Sequence, residues 1–238
     1  MKYRDLTLRK FSRNETLVIA CDSYGGIGNL ALDHIQVEPE IVGYYTALLC
    51  LKECASIQAE PICLVNLVSA SFEPTGKGIL KGIRQALEEA GIPDLPVNGS
   101  SEENFSVQQT GGGMTLLAKL KGEFLFPEFQ VGDRLYLIGE PSVGDEVIGN
   151  QKKLVTLDKI KEIAQLPTCI EIVPLGSNGY QTEINRYEDM GWKITIAPEM
   201  GKFNRSAGPA TAAIAVIRGQ LTETENSIPQ RWLGRIEA

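Results

Sequence analysis

The sequence predicts a mixed protein of the α+β or α/β class in two domains, the first over residues 1–130 and a smaller α/β domain over residues 131–238. Two observations lead to this. Apolar, β-branched runs alternate with segments of helical spacing through the first half, in the order strand, helix, strand, helix. After Val131 the alternation resumes with shorter elements. A hydrophobic share of 43% and a charged share of 22% over 238 residues exclude disordered and fibrous classes.

Taken in order, residues 17–21 read as a strand. From Glu40 onward Ile41, Tyr44, Tyr45, Leu48 and Ala55 recur at helical spacing and predict a long first helix. Pro61 restarts the chain, and residues 62–70 form an apolar strand broken by Glu73-Pro74-Thr75-Gly76. Ile79, Ile83, Ala86, Leu87 and Ala90 line one face of a second helix that Gly91 ends. Residues 95–97 and 114–120 are strands separated by a polar loop with an acidic centre. In the second half, strands are expected at 134–139, 170–173, 192–197 and 212–217, and helices at 157–166 and 181–190. The tail beyond Gly219 reads as polar and weakly structured.

A formal net charge of −7 argues against a duplex nucleic-acid binder, whose phosphate contacts demand a basic face. The five cysteines are an odd number without a secretion signal, which reads as reduced structural thiols in a cytoplasmic protein. Cys50 and Cys54 share a helical face but lack a second pair for zinc, and His34, the one histidine, reads as a loop residue. No apolar run reaches the roughly 20 residues that cross a bilayer, so no membrane role is expected.

The segment LVIACDSYGGIG at 17–28 runs from a strand through Asp22 into Gly25, Gly26 and Gly28. Glycines let backbone approach a phosphate, and a carboxylate can hold its metal ion, so a nucleotide site is the first hypothesis, beside a plain tight turn. The spacing matches neither GxxxxGK[ST] nor GxGxxG. Three further features bear on it. Asn66 interrupts an apolar strand and either caps backbone or faces a ligand. Glu102 and Glu103 follow two serines, as a capping loop or as a second metal-binding carboxylate. Thr110-Gly111-Gly112-Gly113 offers unobstructed amides to a phosphate, or is a bulge. Lys77 and Lys81 are solvated helix lysines or partners of phosphate.

The order LVIACDSYGGIG, AEPICLVNLVSA, AGIPDLPVNGSSEENF and GDRLYLIG resembles the aminoimidazole ribonucleotide synthetase-like ATP-binding superfamily, from about residue 17 to 217. RDLTL, EPTGKGILKGIRQALEEAGIPDLPVNGSSEENF, GDEV and SAGPATAAIAVI resemble its α-ribazole kinase type, which acts in cobamide lower-ligand salvage. The resemblance implies a two-domain fold whose first domain pairs with a second copy in a β-barrel. It also implies ATP and Mg2+ as cofactors and phosphoryl transfer to a nucleoside-like alcohol; another kinase of the superfamily, such as a thiamine-monophosphate type, or a non-catalytic nucleotide-binding protein are the alternatives. By this resemblance Asp22, Glu102 and Glu103 hold the metal, and Asp22, Ser23, Gly25, Gly26, Asn66, Thr110, Gly111 and Gly112 contact the nucleotide. Asn66 stands where the synthetase has an aspartate and Ser100 where it has a glutamate, and a neutral amide binds magnesium more weakly than a carboxylate.

Overall fold

In the computed structural model, which describes residues 1–200, 205–221 and 228–238, the chain divides into two units, Met1–Phe124 and Leu125–Ala238. The first contains β1 (Lys2–Tyr3), β2 (Leu6–Lys10), β3 (Glu15–Gly25), β4 (Ile27–Gly28), β5 (Ile35–Gln36), α1 (Pro39–Ser56), β6 (Glu60–Val68), α2 (Lys77–Glu89), β7 (Val97–Ser101) and β8 (Gly111–Lys121). Its main sheet has the order β1-β2-β3-β8-β6-β7. Only β6 and β7 run parallel there, joined through α2, while the short β4 and β5 form a separate parallel pair.

Alternation along the strands decides which face is covered. On β3, Thr16, Val18, Ala20 and Tyr24 are buried, as are Leu64, Asn66 and Val68 on β6 and Met114, Leu116 and Ala118 on β8. Helix α1 packs on this face and against α2. The opposite face carries Leu17, Ile19, Cys63, Val65 and Leu117, all half-buried, and Leu67, which is 54% exposed. Neither helix of this unit covers it.

The helix pair corrects one expectation. Helix α1 buries Val42, Gly43, Thr46, Ala47, Cys50, Leu51, Cys54 and Ala55, whereas Ile41, Tyr44, Tyr45 and Leu48 sit at its margins. The reason is closeness of approach. A Cβ on Gly43 would stand 2.0 Å from the Ile79 carbonyl oxygen, and one on Gly82 would stand 1.9 Å from that of Glu40. Small residues therefore form the contact stripe and the tyrosines are displaced from it. Helix α2 follows the periodic expectation, with Ile79, Ile83, Ala86 and Leu87 buried.

The second unit contains β9 (Arg134–Ile138), α3 (Asp145–Gly149), α4 (Leu157–Ala164), β10 (Cys169–Pro174), α5 (Gly179–Asp189), β11 (Lys193–Ile196), β12 (Ala213–Ile217) and β13 (Gln230–Glu237). They form an antiparallel sheet of order β10-β12-β9-β13-β11 in which every residue of β12 is buried. Strand β13 overturns the expectation of a weakly structured tail, although residues 222–227 of that tail lie outside the described residues. It pairs with both β9 and β11, and Leu233 and Ile236 are fully buried. The register shift between Trp232 and Gly234 breaks the period-2 alternation by which a strand is recognised. Among the described residues no helix is long and apolar enough to cross a membrane.

The helix contact yields a direct test. Gly82→Ala forces α1 and α2 apart at a backbone-to-backbone contact, and overpacking of this kind costs about 2 kcal/mol. Calorimetry is expected to show a melting temperature lower by roughly 4–8 °C at this chain size.

Candidate functional site

Four strands place the candidate residues in one row. Asp22 on β3 stands opposite Met114 on β8, Met114 opposite Asn66 on β6, and Asn66 opposite Gly99 on β7. Directly opposed residues share a face, so Asp22, Met114 and Asn66 project toward the helices, and the Asp22 charge accordingly acts on Cys50 of α1. In the next row Tyr24 faces Gly112, where a Cβ would lie 2.4 Å from the tyrosine hydroxyl. The missing side chain lets the Tyr24 ring lie across β8, and its hydroxyl reaches Asn66 Oδ1 at 3.3 Å and the Leu67 carbonyl at 3.4 Å. Burial raises the pKa of this phenol, so it stays a donor.

Burial also raises the pKa of Asp22; a backbone hydrogen bond at Ser23 opposes the rise and the charge of Asp5 adds to it. Asp5 sits in the turn between β1 and β2. It is the carboxylate whose charge reaches Asp22, and sequence reading missed that role. The only signal was its place in the RDLTL segment, because proximity across a sheet has no sequence spacing.

The glycine-rich segment differs in form from a phosphate loop. Strand β3 continues through Ser23, Tyr24 and Gly25, paired with Gly113, Gly112 and Gly111 of β8. Strand β2 accompanies β3 only as far as Ile19. Beyond it one edge of β3 has no strand beside it among the described residues, and alternate main-chain N–H groups of an edge strand point outward. The turn begins at Gly26, whose N–H donates to the Thr110 carbonyl at 2.8 Å and whose carbonyl accepts from His34 N at 2.7 Å. Buried Asp33 clamps this turn by accepting from Leu30 N at 2.9 Å and from both the N–H and the hydroxyl of Thr110 at 2.7 Å. Thr110 thus anchors the turn, its N–H, hydroxyl and carbonyl all engaged within the protein. Asp33 was not picked out from sequence.

The glutamates do not join Asp22. Glu102 Oε1 accepts from Asn104 N at 2.7 Å, and Glu103 Oε1 accepts from Phe72 N at 2.8 Å and Ser101 Oγ at 2.7 Å. These bonds, the serine's first, lower the Glu103 pKa, so it remains ionised while tying the turn before α2 to the end of β7. Three strand spacings of about 4.8 Å put β3 and β7 roughly 14 Å apart, beyond what an aspartate and a glutamate bridge through one magnesium ion. No group of three or more His, Cys, Asp or Glu side chains that could hold a metal occurs among the described residues. The shared Asp22, Glu102 and Glu103 centre expected from the sequence is therefore not formed within this unit. Asp22 stands near the open edge of β3, a position from which one carboxylate can hold a magnesium ion whose shell is completed by water and phosphate oxygens. Lys77 and Lys81 are paired with Glu73 at 2.8 Å and Glu40 at 2.7 Å. In the second unit, the Gly179 and Ala207 N–H groups both donate to the Gly176 carbonyl, at 3.2 and 3.1 Å, so the turn before α5 is tied to the segment before β12.

No family model matches the sequence, and no curated protein matches it. Solved structures do. Thiamine monophosphate kinase from Aquifex aeolicus aligns over 100% of this chain and 90% of its own, with a TM-score of 0.66 and 12% identity. The chain has that kinase's fold. AaThiL complexed with AMPPCP and TMP aligns over 98% of this chain and 84% of its own, with a TM-score of 0.64 and 12% identity. Phosphoribosylformylglycinamidine synthase II from Thermotoga maritima aligns over 98% of this chain with a TM-score of 0.62 and 14% identity, and the chain spans 37% of that protein's length. T. maritima PurL complexed with ATP gives a TM-score of 0.61 at 15% identity over the same shares.

Two outcomes follow from the site. Ionised Asp22 is disfavoured in the folded state, so Asp22→Asn is expected to raise the melting temperature at pH 7. That gain should shrink as pH falls through the raised folded-state pKa toward 3.8, where wild-type Asp22 also becomes neutral; a pH series of thermal melts reads this out. Asp33→Ala leaves the buried Thr110 donors unpaired, at a cost of about 1–3 kcal/mol, and hydrogen exchange should accelerate over residues 26–37.

Proposed function

We propose that the protein is an ATP- and Mg2+-dependent phosphotransferase acting on a small-molecule alcohol or phosphate. The observation that carries this reading is the near full-length match in fold to a kinase whose solved structure is complexed with AMPPCP and TMP. The place of Asp22 near an open strand edge, with the charge of Asp5 acting on it, supports it.

In this reading Asp22 would hold the magnesium ion, with Asp5 adding negative charge nearby, and the ion would supply neutralisation of charge on the transferring phosphoryl group. Outward N–H groups of β3 between Ser23 and Gly25 hold phosphate oxygens. Tyr24 keeps Asn66 oriented, and the Asp33 clamp holds the turn after Gly25 so that the strand edge does not fray. The protein's part is alignment and charge stabilisation, with no covalent step of its own. Among acceptors, the sequence resemblance favours α-ribazole and the fold relative favours a thiamine monophosphate-like compound.

We assign the open face of the first sheet to a homodimer. Leu67 at 54% exposure and half-buried Leu17, Ile19, Val65 and Leu117 form an apolar surface on β3, β8 and β6 that neither helix of the unit covers.

Purified protein is expected to release ADP only when Mg2+ and an acceptor are both present, with α-ribazole and thiamine monophosphate as the two acceptors compared. Asp22→Asn should lower kcat by about 100-fold or more, the usual scale for loss of a group that stabilises transition-state charge. ATP binding without turnover on either acceptor would sink the assignment. Light scattering should report twice the 26.0 kDa chain mass, and Leu67→Glu should shift it to the monomer.

A further inference from the structure

A cavity of about 190 Å3 lies on the helix side of the edge strand β7, between the ends of β6 and β7 and the start of α2. Val68, Phe72, Leu80 and Val97 supply apolar wall, and Asn66, Asn98, Ser100 and Ser101 supply polar groups. Every lining side chain is uncharged. The nearby Lys77 is held by Glu73 at 2.8 Å, and the ionised Glu103 carboxylate is fastened to Ser101, one of the lining residues.

Asn66 is the informative member. The residue is 7% exposed, and among the described residues the one partner of its side chain is the Tyr24 hydroxyl, which donates to Oδ1. Among the described residues no side-chain nitrogen or oxygen sealed from solvent lacks a partner, so Nδ2 keeps access to solvent, and Asn66 lines the cavity. An amide donor left open beside a cavity is free to donate to water or to a ligand there. Tyr24 fixes its direction, and Gly112 makes room for Tyr24.

The ligand chemistry follows from size, charge and polarity. An apolar cavity of about 150 Å3 takes up benzene, so this one holds one or two fused rings, and it is below the roughly 300 Å3 at which pockets for whole drug-sized ligands begin. With no cation in the lining and a carboxylate at the rim, a phosphate is disfavoured. Uncharged amide and hydroxyl groups set among apolar walls suit a neutral ring that bears acceptor atoms. We propose that this cavity seats the uncharged heteroaromatic base of a nucleoside-like ligand, with the Asn66 Nδ2–H donating to a ring nitrogen or carbonyl. The proposal rests on the phosphotransferase reading for its biological setting. The base is either that of the nucleotide donor or that of the acceptor, and the two sources share this chemistry.

The test uses the full chain, with adenosine and benzimidazole as ring probes and pyrophosphate as competitor, read by calorimetry and by the side-chain amide NMR signals of Asn66. Binding of either ring probe is expected to shift those signals. Leu80→Trp, which fills the cavity, and Asn66→Asp, which turns the donor into an acceptor at constant shape, are each expected to weaken it by about tenfold or more. Preference for adenosine identifies the donor's base and preference for benzimidazole the acceptor's; either supports the seat. Binding that neither substitution alters overturns it, as does displacement of both probes by pyrophosphate or the failure of both rings to bind. Because these readouts need no turnover, a protein that binds a ring here but transfers no phosphate refutes the kinase reading alone. Turnover with wild-type KM values for ATP and acceptor in Leu80→Trp refutes the seat alone.

Discussion

Eleven consecutive residue pairs join β3 to β8, from Glu15 opposite Lys121 to Gly25 opposite Gly111, and the candidate site depends on that ladder. It carries Asp22 past the end of β2 to an edge where main-chain groups are open. It also puts three glycines of β8 opposite Ser23, Tyr24 and Gly25. A slip of one residue would send Asp22 and Tyr24 to the other face of the sheet and leave Asn66 without its phenol partner. The register is held because Val18, Ala20, Leu116 and Ala118 all lie under the helices, and a slip would exchange them for Leu17, Ile19, Leu117 and Lys119.

The two glycine-rich segments therefore act together, though neither is a phosphate loop in the usual sense. The first is mostly strand, and its turn is closed by Asp33 and Thr110. The second gives a tyrosine room to cross a strand and orient a buried amide. In both cases glycine serves close approach between parts of the protein, and open backbone toward a ligand comes from the edge of β3.

Much of the fold was legible in the sequence because it rests on local periodicity. Strands β3, β6 and β8 and helices α2 and α4 are regular segments whose apolar spacing survives in the structure. The misses have specific causes. Strand β13 carries a bulge that breaks alternation. The buried stripe of α1 is set by Gly43 and by Gly82 of its neighbour, so the largest apolar residues are not the innermost. Strands β1 and β2 are short, and only pairing with β3 defines them.

By itself the sequence determined the alternating strand and helix order and the acidic, glycine-bearing character of the candidate site, since both follow from residue type and near-neighbour spacing. Only the tertiary structure decided which polar groups meet. Strand order set Asp22 apart from Glu102 and Glu103, Asp5 came within electrostatic reach of it from the β1–β2 turn, and Asn66 was placed in the wall of a cavity. These are contacts between strands far apart along the chain, and nothing in local spacing encodes strand order or register across a sheet.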